Sequence, residues 1–308
     1  MKPLQASFLK VIELIKPTVS IIIPTYNHAE FLRNALDSVC NQTFNEWEAI
    51  VVNNYSEDDT VEVVEAYNDR RIKLFNFENH GIIAAARNYG LSISNAPYVA
   101  FLDSDDLWYP KKLQNSIDML MKGYDLVCHA EVWVGPGERR RKVYYGPESR
   151  ATFENLLLQG NCLSTSAVLV RRESLIRANF FSVNPDFITA EDYDLWLKLS
   201  FGGGKFGFID EVLGEYLIHE GNQSRQILRN MRAVRSVFDY HRSALENLVK
   251  PWRLRRREAL ILYSGARGLQ DTGRHLQAFS YFIKAIFRYP LVLRFYLAMI
   301  INSFGYRP

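Results

Sequence analysis

Val19-Ser20-Ile21-Ile22-Ile23-Pro24-Thr25-Tyr26-Asn27 begins as a β-branched run and ends in proline followed by polar residues. Such a run, without polar alternation, predicts a strand buried on both faces and stopped at Pro24. Residues 29–40 follow, with Phe31, Leu32, Ala35, Leu36 and Val39 at helical spacing. The alternation continues with a strand over 47–52, a helix over 60–67, a strand over 72–77, a helix over 84–93 and a strand over 98–102. Strands joined by helices of this length make βαβ units, hence an α/β fold with a Rossmann-like, mainly parallel sheet and helices on both faces. Ligands of such sheets bind at the carboxyl ends of the strands. The polar clusters fall there: Thr25-Tyr26-Asn27 after the first strand, Asn53-Asn54 after the second, and Asp103-Ser104-Asp105-Asp106 after the fourth. Three strand ends aimed at one cleft predict a nucleotide-sized site.

The 308 residues, 48% apolar and 23% charged, suffice for one large packed α/β domain with an appendage. Cys40, Cys128 and Cys162 are odd in number, widely spaced and form no CxxC pair. That argues against a disulfide framework or a structural zinc site and fits a reducing, cytoplasmic compartment. Residues 1–16 show no apolar signal core with a cleavage site; Leu4, Phe8, Ile12 and Ile15 predict a short amphipathic helix instead. The most apolar segment, 279–304, is interrupted by Lys284, Arg288, Pro290 and Arg294 and does not read as a membrane span.

Charge divides the chain. Residues 225–308 hold 16 Lys+Arg against 4 Asp+Glu, whereas the rest holds 21 against 30. We therefore expect a helical extension over 1–18, the α/β domain over 19–224 and a basic helical C-terminal region over 225–308. In that last region Ala278, Phe282, Ala285 and Pro290 have the spacing of one tetratricopeptide helix, but a single copy predicts a plain helical hairpin. Residues 135–147, with Gly135-Pro136-Gly137, predict a loop or hairpin turn.

Asp103, Asp105 and Asp106 place three carboxylates in four residues after a buried strand, where they repel one another unless a cation sits among them. Hard oxygen ligands suit Mn2+ or Mg2+ shared with phosphate oxygens. The plainer account is a solvated acidic turn, or an N-cap for a helix starting at Leu107-Trp108. Glu191-Asp192 is a second acidic site: one residue of the pair could act as general base, or Glu191, Asp194 and Lys198 could form a solvated helical face.

Taken in order, these motifs resemble the family 2 glycosyltransferases, which have the GT-A fold. The resemblance runs from Val19 to Ser224. It includes Ser38-Val39-Cys40-Asn41-Gln42-Thr43, residues 50–60, Asn79-His80-Gly81, Ala86-Arg87-Asn88, residues 102–106, Glu191-Asp192 and His219-Glu220-Gly221-Asn222-Gln223-Ser224. It implies an inverting, metal-dependent transfer of a sugar from a nucleotide diphosphate to the hydroxyl of a carbohydrate or lipid-linked acceptor, in polysaccharide or glycolipid assembly. By the same resemblance Pro24, Thr25 and Tyr26 line the nucleotide pocket, Asn54 meets the base, and Arg87 meets the base or the diphosphate. Asp103, Ser104 and Asp105 hold the ribose and the metal side of the nucleotide. Asp105, Asp106 and His219 bind the cation, although an isolated histidine more often has a structural role. Asp192 is the catalytic base, with Glu191 beside it positioning the acceptor.

Asn54 departs from the family's usual aspartate. An ionised aspartate only accepts, matching the imide N–H of uracil, whereas asparagine both donates and accepts. A UDP-sugar remains the expected donor. The competing reading on the same fold is a non-catalytic sugar-nucleotide-binding or scaffold protein, which retention of Asp105, Asp106 and Asp192 speaks against. A dinucleotide-dependent oxidoreductase would carry GxGxxG after the first strand, where this chain has Pro-Thr-Tyr-Asn. The basic region carries no recognised nucleic-acid module. It is read instead as docking on an anionic membrane surface at the cytoplasmic face, against packing on the protein or a homodimer contact.

Overall fold

The structure is a computed structural model that describes residues 16–219, 221–222 and 226–305. The helix expected at the N-terminus falls almost wholly on residues 1–15 and so lies outside the described residues. Strands β1 (Val19–Thr25), β2 (Trp47–Asn53), β3 (Ile72–Asn76) and β4 (Tyr98–Phe101) lie parallel in the order β3-β2-β1-β4. Helices α1 (Ala29–Cys40), α2 (Thr60–Glu65) and α3 (Ile83–Ser92) are their crossovers. Every residue of β1 and β2 is buried, as the apolar run required. Ile21 and Ile23 face the cluster that holds Leu32, Leu36 and Val39 of α1, while Ile22 faces Ala84 and Ala86 of α3. The second contact is close, since a Cβ on Gly90 would stand 2.7 Å from Ile22 Cγ2.

β1 does not stop at Pro24, as the sequence led us to expect, but pairs with β2 through Thr25. Ile22 turns its carbonyl toward β4, accepting from Leu102 N, and Thr25 turns its own toward β2, accepting from Asn54 N. Pro24 therefore presents its nitrogen to the β4 side, beyond the last β4 pairing at Phe101, and no ladder bond is lost there. The proline carries the strand one residue further into the cleft.

Beyond β4 the sheet continues through β8 (Val168–Arg171), β6 (Leu126–Gly135), β9 (Phe206–Leu217) and β5 (Leu107–Trp108), and β7 (Arg139–Val143) pairs with β6. β8 runs antiparallel to both β4 and β6. Residues 135–147 contain the turn of the β6–β7 hairpin, as expected. Leu107-Trp108 is a short strand and not a helix start; α4 (Lys112–Leu120) begins later, so the acidic loop is not its cap. Register shifts after His129 and Ala130 bend the β6–β9 pair and bring the end of β9 over that loop. Between these strands lie α5 (Phe153–Gln159), α6 (Arg172–Arg177) and α7 (Glu191–Phe201).

The chain ends in α8 (Ile227–His241), α9 (Pro251–Asp271), α10 (His275–Arg288) and α11 (Leu293–Ser303). α9 and α10 form the expected hairpin, with Ala278, Phe282 and Ala285 fully buried. Val237 and Phe238 of α8 and Leu254 and Ile261 of α9 share one buried cluster with Ile22, Leu156 and Trp196. Buried Glu258 of α9 receives Arg235 and Arg242 from α8 and its C-terminal end, and Arg288 from α10. Much of the basic charge is thus used in packing. Glu258→Ala should cost about 2–3 kcal/mol in urea unfolding, less than the ~3–5 for breaking a fully buried pair, because the arginines can rehydrate. A loss under about 0.5 kcal/mol, the scale of an ordinary surface change, would show that the cluster contributes nothing to stability.

Candidate active site

A cleft of about 1160 Å³ opens at the carboxyl ends of β1, β2 and β4. Pro24, Thr25, Tyr26, Asn54, Arg87, Asp103, Ser104, Asp105, Asp106, Glu191 and Asp192 all line it. His219, the remaining expected residue, reaches it through Asp105, at 2.8 Å from Nε2 to Oδ2. Residues up to 195 positions apart in the sequence therefore meet in one place.

The β1 and β2 ends form one side. Thr25 is buried and its hydroxyl has no hydrogen-bond partner, while Tyr26 is half exposed. Asn53 is committed to the fold: its carbonyl accepts from Ser56 and its amide donates to Asn76 Oδ1. Asn54 differs. Its Oδ1 accepts from Asn79 N at 2.8 Å, which fixes the amide orientation and leaves its NH2 as the free group.

The acidic loop sends its three carboxylates to three partners. Asp103 Oδ1 accepts from Arg87 at 2.6 Å. Asp105 Oδ2 meets His219 and also accepts from Asn222 Nδ2 at 3.1 Å, leaving Oδ1 to the cleft. Asp106, expected beside the cation, instead points inward. It is 1% exposed, with Oδ2 accepting from Ser166 Oγ at 2.5 Å and Oδ1 from Leu217 N at 3.1 Å. Burial, then the charges of Asp105 and Glu131, push its proton affinity well above the usual carboxylate range. Each oxygen therefore has a protein partner, and Asp106 secures the end of β9. Among the described residues no group of three or more His, Cys, Asp or Glu is arranged around an ion site.

Arg87 is 3% exposed and bridges Asp103 to Glu191, with Nη1 to Glu191 Oε1 at 2.7 Å. Burial pulls its proton affinity down, but the Asp103 and Glu191 charges outweigh it and the net shift is upward. The guanidinium expected at the base or diphosphate is therefore engaged within the protein. Glu191 is likewise engaged, its Oε2 accepting from Thr189 N at 2.9 Å. Thr189 holds a left-handed backbone at φ 83°, unusual for a β-branched residue, and its carbonyl accepts from Asn230 of α8 at 3.0 Å.

Asp192 is the carboxylate left for chemistry. Its Oδ1 accepts from Tyr193 N, and Oδ2 has only long contacts from Asn161 at 3.3 Å and Thr165 at 3.4 Å. Burial, then the Glu191 charge, raise its pKa from the usual carboxylate range to about 6. Asn161, Thr165 and Ser166 also belong to the site, but they lie in a segment without readable periodicity and were not expected there. Nor was His28, whose Nδ1 lies 3.0 Å from Ser104 Oγ, although it directly follows the opening motif.

The family described as Glycosyl transferase family 2 matches residues 20–178. The chain is 31% identical over 211 residues to TuaG of Bacillus subtilis (strain 168), whose name places it, as a glycosyltransferase, in teichuronic acid biosynthesis. That alignment covers 65% of this chain and 79% of TuaG. WfgD of Escherichia coli, named UDP-Glc:alpha-D-GlcNAc-diphosphoundecaprenol beta-1,3-glucosyltransferase, is 33% identical over 189 residues, covering 59% of this chain and 69% of WfgD. The crystal structure of S. aureus TarS 1-349 in complex with UDP superposes with a TM-score of 0.60 at 21% identity, covering 94% of this chain and 89% of that one.

Proposed function

The chain belongs to glycosyl transferase family 2 and is a glycosyltransferase of the GT-A fold, and from that premise we propose that it inverts a UDP-sugar onto a lipid-linked acceptor in cell-envelope glycan assembly. The observation that carries this reading is Asp192, a weakly held carboxylate with a pKa near 6 in the wall of a cleft lined by three strand ends. Above that pH Asp192 is ionised and can take the proton of an acceptor hydroxyl. The acceptor oxygen then attacks the anomeric carbon as the bond to the diphosphate breaks on the opposite face. One displacement inverts the configuration, and the proton ends on Asp192.

Glu191 and Arg87 are positioning residues in this reading: they hold the start of α7 and bear on the proton affinity of Asp192 by charge. The free NH2 of Asn54 suits a base carbonyl, and uracil carries one on each side of its imide N–H. WfgD's name supplies the parallel of a UDP-glucose donor and a diphosphoundecaprenol-linked acceptor.

Asp105 and His219 fit a divalent cation of the Mn2+ or Mg2+ kind, because carboxylate and imidazole meet at the cleft with Asp105 Oδ1 unengaged. Diphosphate oxygens and water would complete such a site. The cation would supply positive charge against the departing diphosphate.

We assign membrane docking to the C-terminal helices. Phe282 and Phe295 are buried, but Leu276, Phe287 and Phe304 are 91%, 86% and 84% exposed. Leu293, Leu297, Ile300 and Phe304 form one exposed stripe at helical spacing. Arg274, Lys284 and Arg294 are exposed on the same helices. Among the described residues no helix is long and apolar enough to cross a membrane. An anionic leaflet would add about 1 kcal/mol per basic residue near the surface to the shallow insertion of such a face.

Three outcomes test the reading. Asp192→Asn should leave UDP affinity unchanged and lower kcat by ~10²-fold or more, and wild-type kcat/KM should fall about tenfold per pH unit below about pH 6. Turnover within a few-fold of wild type would remove Asp192 as the base. In calorimetry, UDP should bind more tightly with Mn2+ than in EDTA, and Asp105→Ala should abolish the difference; equal wild-type affinity in both would refute the cation site. Co-sedimentation should show binding to anionic vesicles that weakens when Leu297 and Phe304 are both changed to Ser. A folded protein that ignores anionic vesicles at low salt has no membrane-docking face.

A further inference from the structure

Arg257 lies in the wall of the cleft, on α9, and is 6% exposed. Among the described residues no carboxylate reaches ion-pair distance of it, and its Nε has no hydrogen-bond partner. A single bond runs from Nη2 to the Tyr193 hydroxyl at 3.3 Å. Other arginines nearby reach carboxylates: Arg253 meets Glu154, and Glu258 takes Arg235, Arg242 and Arg288. Arg267 and Arg294 also line the cleft, but neither is as buried as Arg257. A buried cation without a counter-ion is costly, and a ligand anion would remove that cost.

The surroundings identify the ligand. Nη1 of Arg257 lies against Gly160, where a Cβ would stand 3.0 Å from it; the left-handed φ of 102° also favours glycine. The next residue, Asn161, donates to Asp192. The cation thus sits two wall residues away from the proposed base. Next along α9, Leu260 and Ile261 line the cleft together with Met231 and Val234 of α8, before the lining turns polar again at Ser264, Arg267 and Asp271.

We propose that Arg257 receives a phosphate or diphosphate ester carried by the acceptor, with the attached alkyl chain lying along the apolar lining between α8 and α9. Assigning the anion to the acceptor rests on the glycosyltransfer reading above. The reacting hydroxyl at Asp192 and the anion at Arg257 then flank one acceptor sugar. Recognition comes from the phosphate charge at one end of that sugar, met by the cation that α9 supplies.

Calorimetry with decyl diphosphate, below its micellar concentration and with or without saturating UDP, tests this. Wild type should bind it equally well in both conditions and should not bind neutral decyl maltoside. Arg257→Gln should lower the affinity about tenfold or more without changing that for UDP. Should that variant fail to fold, Gln159→Glu supplies the second reading: it places a carboxylate on the exposed rim beside Gly160 and should weaken binding about two- to fivefold. Displacement by UDP would assign the anion site to the donor and overturn the proposal. So would equal binding of the neutral detergent, or unchanged affinity in the folded variants. Retained, Arg257-dependent binding in a protein that fails to bind UDP would overturn the donor assignment and leave this site standing.

Discussion

The guanidinium of Arg87 ties the parallel half of the sheet to the helix that carries Asp192. It comes from α3, takes Asp103 at the end of β4 on one side and Glu191 at the start of α7 on the other, and is almost without contact with water. A charge buried this deeply persists only because both partners are carboxylates at hydrogen-bond distance. Without it, Asp103 and Glu191 would face each other and Asp192 uncompensated, and each would raise the proton affinity of the others. Arg87 thus helps to hold the start of α7, and its charge opposes the rise in proton affinity that burial and Glu191 impose on Asp192.

The same economy of charge explains the acidic loop. Three carboxylates in four residues coexist because each is drawn to a different environment: Asp103 to a buried cation, Asp105 to an imidazole and an amide at the rim, and Asp106 to a hydroxyl and a backbone N–H inside. The bent β9 makes this division, since Leu217 supplies the N–H that turns Asp106 inward and His219 follows two residues later. Aspartates alike in sequence become a structural anchor, a rim carboxylate and a salt-bridge partner.

The parallel half of the fold was legible because its signal is local. A β-branched run and a helix at i, i+3, i+4 spacing admit one arrangement, and the polar strand ends point to the cleft without further information. The partners of Asp106 were not legible, because three adjacent acids look equivalent in sequence and only the distant Ser166 and β9 distinguish them. Nor does anything local to Arg87 show that Glu191, 104 residues later, reaches it. β8 escaped notice because it is short and antiparallel within a segment that lacks periodicity. Arg257 lies in the basic region read as docking on an anionic surface, and nothing in its charge alone marks it as buried. Leu254, Ile261 and Leu269, buried on α9, carry the spacing that could have shown this helix to face inward.

Thr189 carries a consequence for where the working unit ends. Its left-handed backbone stores about 1–3 kcal/mol. The conformation is clasped from two sides, by the Glu191 carboxylate on its N–H and by Asn230 of α8 on its carbonyl. The stretch matched by the family ends at residue 178, before Asp192 and before α8. A protein trimmed to that stretch would keep the ends of β1, β2 and β4 and lose both Asp192 and the clasp on Thr189. The turn before Asp192 is held by a helix that begins at Ile227, well beyond the stretch that the family describes.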